Sequence, residues 1–104
     1  MPEAIDSDIC DELRTIALGG STPAGARPIE PRVAAAAILG ALIALDAPPA
    51  TYVRHVSDAL AAGITTGELL AILTTVTPHV GAPRATAAAA EIMLALGLPL
   101  DEAL

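Results

Sequence analysis

Two histidines and one glutamate are the side chains best suited to moving protons near neutral pH in this chain: His55, His79 and Glu68. His55 stands on the flank of a predicted apolar helix stripe, one turn after Tyr52. His79 follows Pro78 and precedes a Gly-x-Pro turn, and an irregular backbone at a helix end often lines a pocket. We take the two histidines and Glu68 as candidate catalytic residues.

Each of these three residues also has a structural explanation. His55 fits a packing histidine that is hydrogen-bonded to a neighbour, and His79 fits an exposed residue of a turn. Glu68 has the spacing of a capping box with Thr65. In that motif the threonine hydroxyl accepts from the glutamate amide, and the carboxylate accepts from the threonine amide. The spacing alone leaves both kinds of role open.

Two arginines are candidates for holding an anionic substrate. Arg84 lies at the start of the predicted fifth helix, where backbone amides also favour negative charge. Arg54 lies one turn before Asp58, and a surface ion pair at that spacing is worth about 0.3–0.5 kcal/mol. An exposed, solvated side chain is the alternative for both arginines.

Cysteine and metal chemistry have little support in the sequence. Cys10 is the single cysteine, so no internal disulfide and no Cys-x-x-Cys centre can form. Asp8, Asp11 and Glu12 oppose thiolate formation there, and we interpret Cys10 as a buried or bystander thiol. The two histidines have no Cys, Asp or Glu at ligand spacing, so we expect no metal and no cofactor.

Composition limits the partners of the chain. It has no lysine and five arginines against twelve acidic residues, a net charge of -7. Binding to nucleic acid or to an anionic membrane is therefore not expected. The longest apolar run, residues 33–45, is shorter than the roughly 20 residues of a membrane span. The N-terminus is acidic and unlike a targeting signal, so we expect a cytoplasmic protein.

The elements that position these residues are predicted to be helices in one domain of 104 residues. An N-terminal helix is expected over residues 6–18, with a buried stripe of Ile5, Ile9, Leu13 and Ile16. An irregular connection follows over 19–31, and a core over 32–97. Within that core, helices are predicted at 32–45, at 49–62 with Gly63 as its stop, from the Thr65 cap onward, and at 83–96. Pro78 is expected to end or bend the fourth helix.

The run from His55 to Pro83 is similar to the signature of the carboxymuconolactone decarboxylase and alkyl hydroperoxidase D superfamily. Its members read roughly H-V-x-x-A-L-x-x-G-x-T-x-x-E, followed by G-x-P. The resemblance covers about residues 32–96 and implies an all-α bundle of about five helices that assembles as a trimer or hexamer. The matching residues are His55, Ala59, Leu60, Gly63, Thr65, Glu68, Gly81 and Pro83.

The redox branch of that superfamily does not fit. It carries Cys-x-x-Cys ahead of the histidine and a glutamate further upstream. Thr51 and Pro48 occupy the cysteine positions here, and Ala36 occupies the glutamate position. Thiol peroxidase activity is therefore not expected, because a disulfide-forming pair is its mechanism.

The decarboxylase branch lacks the cysteine pair and fits better. It reads Glu-x-x-x-His along the fourth helix and then Tyr-x-Gly-x-Pro; the glutamate, histidine and tyrosine positions hold Ala71, Thr75 and His79 here. The resemblance implies cofactor-free proton transfer, by decarboxylation or isomerisation, on a small anionic or lactone-like substrate. Its candidate catalytic residues are His55, His79 and Glu68, and its candidate substrate-binding residues are Arg84, Arg54, Tyr52 and Thr75.

A non-catalytic binding or scaffold protein that kept this fold is the alternative hypothesis, in which the histidines are structural. Both hypotheses predict a homo-oligomer, because the second and fifth helices carry more Ala and Leu than one subunit can bury.

Overall fold

The computed structural model describes residues 6–21 and 28–99 and is helical throughout its regular structure. Five helices follow one another: α1 (Ser7–Ala17), α2 (Pro31–Leu45), α3 (Pro49–Ala61), α4 (Thr66–Val80) and α5 (Ala82–Ala95). No strand occurs in these two ranges. The predicted all-α class is confirmed, and the helix boundaries fall within a few residues of those expected.

The helix starts use the capping chemistry that the sequence predicts. The Asp6 carboxylate caps α1 by accepting from the Asp8 amide at 2.8 Å. The capping box of α4 is complete, with both reciprocal bonds between Thr65 and Glu68 at 3.0 Å. Proline occupies the first turn of α2, α3 and α5, where its missing N–H leaves no helical bond unmade.

Glycines end three of the helices in the same way. At the end of α3, Gly63 has φ +96°, and its amide donates to Leu60 while the next amide, of Ile64, donates to Ala59. These two bonds define the Schellman motif, in which a left-handed residue turns the chain out of the helix. Residues with the same pair of bonds follow α1 and α5, at Gly19 and Gly97. The predicted stop at Gly63 is confirmed.

Helices α2 to α5 form one bundle in which α2 and α5 each pack against both α3 and α4. Two of the buried core residues are alanines, Ala59 of α3 and Ala88 of α5, so at these two positions the helices present very little side chain to the core. Tyr52 is the one large ring and is almost fully buried. The remaining core residues are Leu39, Leu42, Ile43, Val56, Ile64, Leu69 and Ile92.

Helix α1 differs from its prediction. Its apolar stripe was expected to be buried, yet none of its residues is buried, and α1 is not among the helix pairs that pack together within the described ranges. Ile9, Leu13 and Ile16 are all exposed, and Ile5 lies outside the described residues. The amphipathic pattern is correct, but the bundle of the same chain does not cover it.

The structure of α4 answers whether Pro78 ends the fourth helix, a question that the sequence left open. Pro78 does not end the helix, which runs on through it to Val80. The proline ring has no N–H to offer the carbonyl of Thr74, one turn earlier, but only the last two residues of the helix follow it. None of the described helices is long and apolar enough to cross a membrane.

Candidate functional site

A groove lies between α2 and α4 on one side of the bundle. Its volume is about 610 Å³, and its walls are the facing surfaces of the two helices together with Ile64, which precedes α4. Its lining is mostly apolar, with polar groups near the first turns of the two helices. The lining residues are Glu30, Arg32, Val33, Ala36, Ala37, Ile64, Glu68, Ala71, Ile72, Thr75 and Val76.

The polar part of the groove is an ion pair between Arg32 and Glu68. Oε2 of Glu68 accepts from Nη2 of Arg32, while Oε1 accepts from the backbone N–H of Thr65 at 3.0 Å. Both charged side chains stay partly exposed, at 45% and 41% of their surface. The pair joins α2 to the start of α4 and leaves both groups within reach of a ligand.

The pKa of Glu68 is lowered from its ordinary value of 4.5. The hydrogen bond from the Thr65 amide contributes most, followed by the hydrogen bond from Arg32, because both donors favour the charged carboxylate. Glu68 is therefore ionised at neutral pH and can accept a proton but has none to give. Arg32 is the only cation in the lining of this groove.

Only two of the sequence-predicted site residues line the groove, Glu68 and Thr75. Neither histidine is in its lining, and the structure therefore does not bring His55 and His79 together with Glu68 within this groove of one chain. The predicted substrate-binding residues Arg84, Arg54 and Tyr52 lie outside it as well.

His55 sits on α3 with its side chain 25% exposed, and its Nδ1 lies 4.0 Å from Oδ2 of Asp58. Asp58 was expected to pair with Arg54. In the structure its carboxylate instead lies on the histidine side, and no ion pair joins Arg54 to it.

His79 and Arg84 lie near the turn between α4 and α5. His79 is exposed in the last turn of α4, and Arg84 is exposed in the first turn of α5. Neither side chain makes a hydrogen bond or an ion pair with any residue of 6–21 or 28–99.

Tyr52 occupies the core. It is 1% exposed and packs in the main cluster of buried side chains. Its pKa is raised above 10.0, first by burial and then by the negative charges of Asp46 and Glu91. Tyr52 is thus a neutral core residue at neutral pH, and no part of it lines the groove.

Arg32 is the residue of the groove that the sequence analysis did not single out. It is separated from Glu68 by 36 positions, so no local spacing relates the two. The available signal was its place in α2, as the one charged side chain in the helix. A cation in the first turn of an otherwise apolar helix is well placed to bind an anionic group.

The described residues contain no group of three or more His, Cys, Asp or Glu side chains that could hold a metal ion. The chemistry that this groove offers is therefore that of an apolar cleft with one guanidinium, one ionised carboxylate at its rim and a second acidic residue, Glu30. Such a cleft suits a small molecule with an apolar body and an anionic end.

We compared the chain with protein-family models, with curated proteins and with solved structures, and none of them matches it.

Proposed function

We propose that the α2/α4 groove binds a small anionic or lactone-like molecule and that the chain carries out cofactor-free proton transfer on it, in the manner of carboxymuconolactone decarboxylases. One observation carries the proposal. The resemblance aligns Ala36, Glu68, Ala71 and Thr75 with motif positions of that superfamily, and all four residues line the same groove. They come from two helices that are distant in sequence, so a chance motif gives no reason for them to meet.

In this proposal Arg32 holds the anionic group of the substrate and Glu68 is the base. Guanidinium groups bind carboxylates through two parallel hydrogen bonds, and the apolar lining contacts the rest of the molecule. A substrate carboxylate competes with Glu68 for Arg32. Binding therefore frees Oε2 of Glu68 at the moment when the substrate is seated.

The state of Glu68 favours isomerisation over decarboxylation. In isomerisation a base takes a proton from one carbon and returns it to another, which an ionised carboxylate can begin. In decarboxylation the bond to the carboxyl carbon breaks, and the electron pair left behind needs a proton from an acid. Glu68 arrives without that proton, and His55 and His79 would have to supply it from a neighbouring copy.

The test compares Glu68→Gln with Arg32→Gln. Glutamine at position 68 still accepts from the Thr65 amide, so the capping box survives while the base is lost. We expect Glu68→Gln to bind the ligand and to lower kcat about 100-fold or more. We expect Arg32→Gln to raise KM for anionic substrates more than for neutral analogues.

The measurement is turnover of a panel of lactones and β,γ-unsaturated acids, followed by ultraviolet absorbance, with circular dichroism confirming that both variants fold. His55→Ala and His79→Ala serve as matched controls and leave turnover unchanged if the groove of one chain is the complete site. Unaltered kcat in Glu68→Gln would sink the assignment of the base.

A binding protein without catalysis is the second candidate. It is favoured by Ala36 and Ala71, which leave the groove with no general acid of its own. In that case the wild type binds carboxylates with an affinity that depends on Arg32 and turns none of them over. Calorimetric titration of the same panel separates the two candidates.

A further inference from the structure

Helix α1 is an amphipathic helix without a covering surface in its own chain. Ile9, Leu13 and Ile16 form its stripe and are 37%, 60% and 44% exposed. The helix has 11 residues, and isolated helices shorter than about 12–15 residues are marginal in water. A helix of this length needs packing on its apolar face to be stable.

The α2/α4 groove is an apolar surface that no helix of the described bundle covers on its open side. Val33 on its α2 wall is 49% exposed, and Ala37, Ala71 and Thr75 are also classed as exposed. Small-molecule sites usually bury 70–90% of the surface of the ligand. A groove that stays open on one side does not reach that value.

The two surfaces match in length. At 1.5 Å per residue the stripe from Ile9 to Ile16 is about 10 Å long, and the groove along α4 from Glu68 to Val76 is about 12 Å long. The spacing i, i+4, i+7 of the stripe is the pattern with which a helix inserts anchors into an apolar groove. Of the acidic residues of α1, Asp11 lies on the side away from the stripe, whereas Asp8 and Glu12 lie at its flanks.

The connection between the helices allows α1 to reach another copy. Thirteen residues separate Ala17 from Pro31, and they span at most about 45 Å when extended. Among the described residues α1 is not one of the helices that pack extensively in the bundle, and the radius of gyration of 16.7 Å exceeds the roughly 13 Å of a compact chain of this size. An arm that stands away from its own bundle is available to a neighbour.

We propose that α1 of one copy lies across the α2/α4 groove of a second copy, with Ile9, Leu13 and Ile16 facing Val33 and Ala37. Each copy donates one arm and offers one groove, so the contact closes reciprocally in a dimer or around a ring in a trimer. The arm is a wall of the substrate site, a role that rests on the proposed function. The association itself does not rest on it.

Mixed cysteine variants test the contact directly. Both chains carry Cys10→Ser; one also carries Leu13→Cys and an affinity tag, and the other carries Ala37→Cys. Oxidation of the mixture is expected to give a disulfide between the tagged and the untagged chain, identified by mass spectrometry. The control replaces Leu13→Cys with Ser7→Cys, which lies on the opposite face of α1, and gives no such product.

A chain that carries Leu13→Cys and Ala37→Cys together distinguishes a contact between two copies from a contact within one copy. Cross-linked species of two or more chains support the proposal. A disulfide confined to single chains means that α1 covers its own groove, and the proposal is then overturned.

Sedimentation gives the second readout. Leu13→Glu is expected to weaken self-association by about tenfold or more, because a buried leucine is replaced by a charge, and Ser7→Glu adds the same charge without that effect. A wild type that stays monomeric at 100 μM, or a Leu13→Glu variant that associates as strongly as the wild type, overturns the inference. These experiments contain no ligand, so their failure leaves the proposed function standing, and failure to find turnover leaves the contact standing.

Discussion

At the scale of single residues, Glu68 has two roles that the sequence presents as alternatives. One carboxylate oxygen completes the capping box of α4, and the other meets Arg32 at the groove. The helix N-terminus therefore fixes the position of the carboxylate that the groove displays. Because the two roles use different oxygens, a ligand can displace one partner without unmaking the cap.

The ionisation of Tyr52 is a testable property that absorbance measures without any added probe. It is the single tyrosine, so absorbance near 295 nm reports its ionisation alone. We expect a midpoint above 10.0, because burial, Asp46 and Glu91 all disfavour the phenolate. Glu91→Gln is expected to lower the midpoint while leaving it above 10.0, since burial is the largest cause.

The same shift makes a contribution to stability whose sign follows from the raised pKa. It is fully present below the unfolded pKa of tyrosine and is lost as the pH rises through the higher folded value. Tyr52→Phe should therefore flatten the alkaline loss of stability. An ionisation midpoint at or below 10.0 in the folded wild type would contradict the buried placement.

At the scale of elements, α4 shows that a packed helix can continue past a proline near its end. Pro78 lies two residues before its end, at an exposed position, and leaves the carbonyl of Thr74 without its helical donor. The buried residue of α4 is Leu69, near its other end, and partly buried side chains pack against the core on both sides of the proline, among them Val76 and Val80. Packing and the capping box hold the helix, and its last turn tolerates the missing bond.

Two proline substitutions test the interpretation that Pro78 is unfavourable within α4. Pro78→Ala restores a donor within a helix and is expected to stabilise the protein by about 1–3 kcal/mol. Pro83→Ala, in the first turn of α5 where proline suits the backbone, is expected to destabilise it by about 0.4–1 kcal/mol. Urea denaturation of both variants and of the wild type gives the sign of each change in the free energy of unfolding. Equal shifts in the same direction would contradict the difference between a helix interior and a helix start.

At the scale of the whole molecule, much apolar surface is left uncovered by one chain. Along α2, Val33, Ile38 and Leu45 are exposed although the helix has no polar side chain after Arg32. The stripe of α1 adds to this exposed apolar surface, and large exposed apolar patches mark interaction sites. Burial between copies is the physical reason to expect association.

Association predicts that thermal stability depends on protein concentration. A partner that binds only the folded chain stabilises it by mass action, so Tm should rise by several degrees between about 1 and 100 μM chain. Leu13→Glu should reduce this rise in Tm, and Ser7→Glu should not. The measurement is a set of calorimetric or circular dichroism melts across that range. A flat wild-type dependence would count against association at any of these apolar surfaces.

The sequence by itself determined the helices, because the signals that start and stop a helix are local. Thr65 and Glu68 are three residues apart, and Gly63 supplies the left-handed turn that ends α3 whatever surrounds it. The apolar pattern of α1 was equally local and correct. What the pattern could not say was which surface covers it, and α1 proved uncovered within its own chain.

Only the tertiary structure decided the site. Arg32 and Glu68 belong to different helices, and their pairing depends on how α2 and α4 pack. The same packing left both histidines out of the groove and placed Tyr52 in the core. A histidine or tyrosine on a helix has the same local signature wherever its face points, and the direction of that face is set by contacts between residues far apart in the chain.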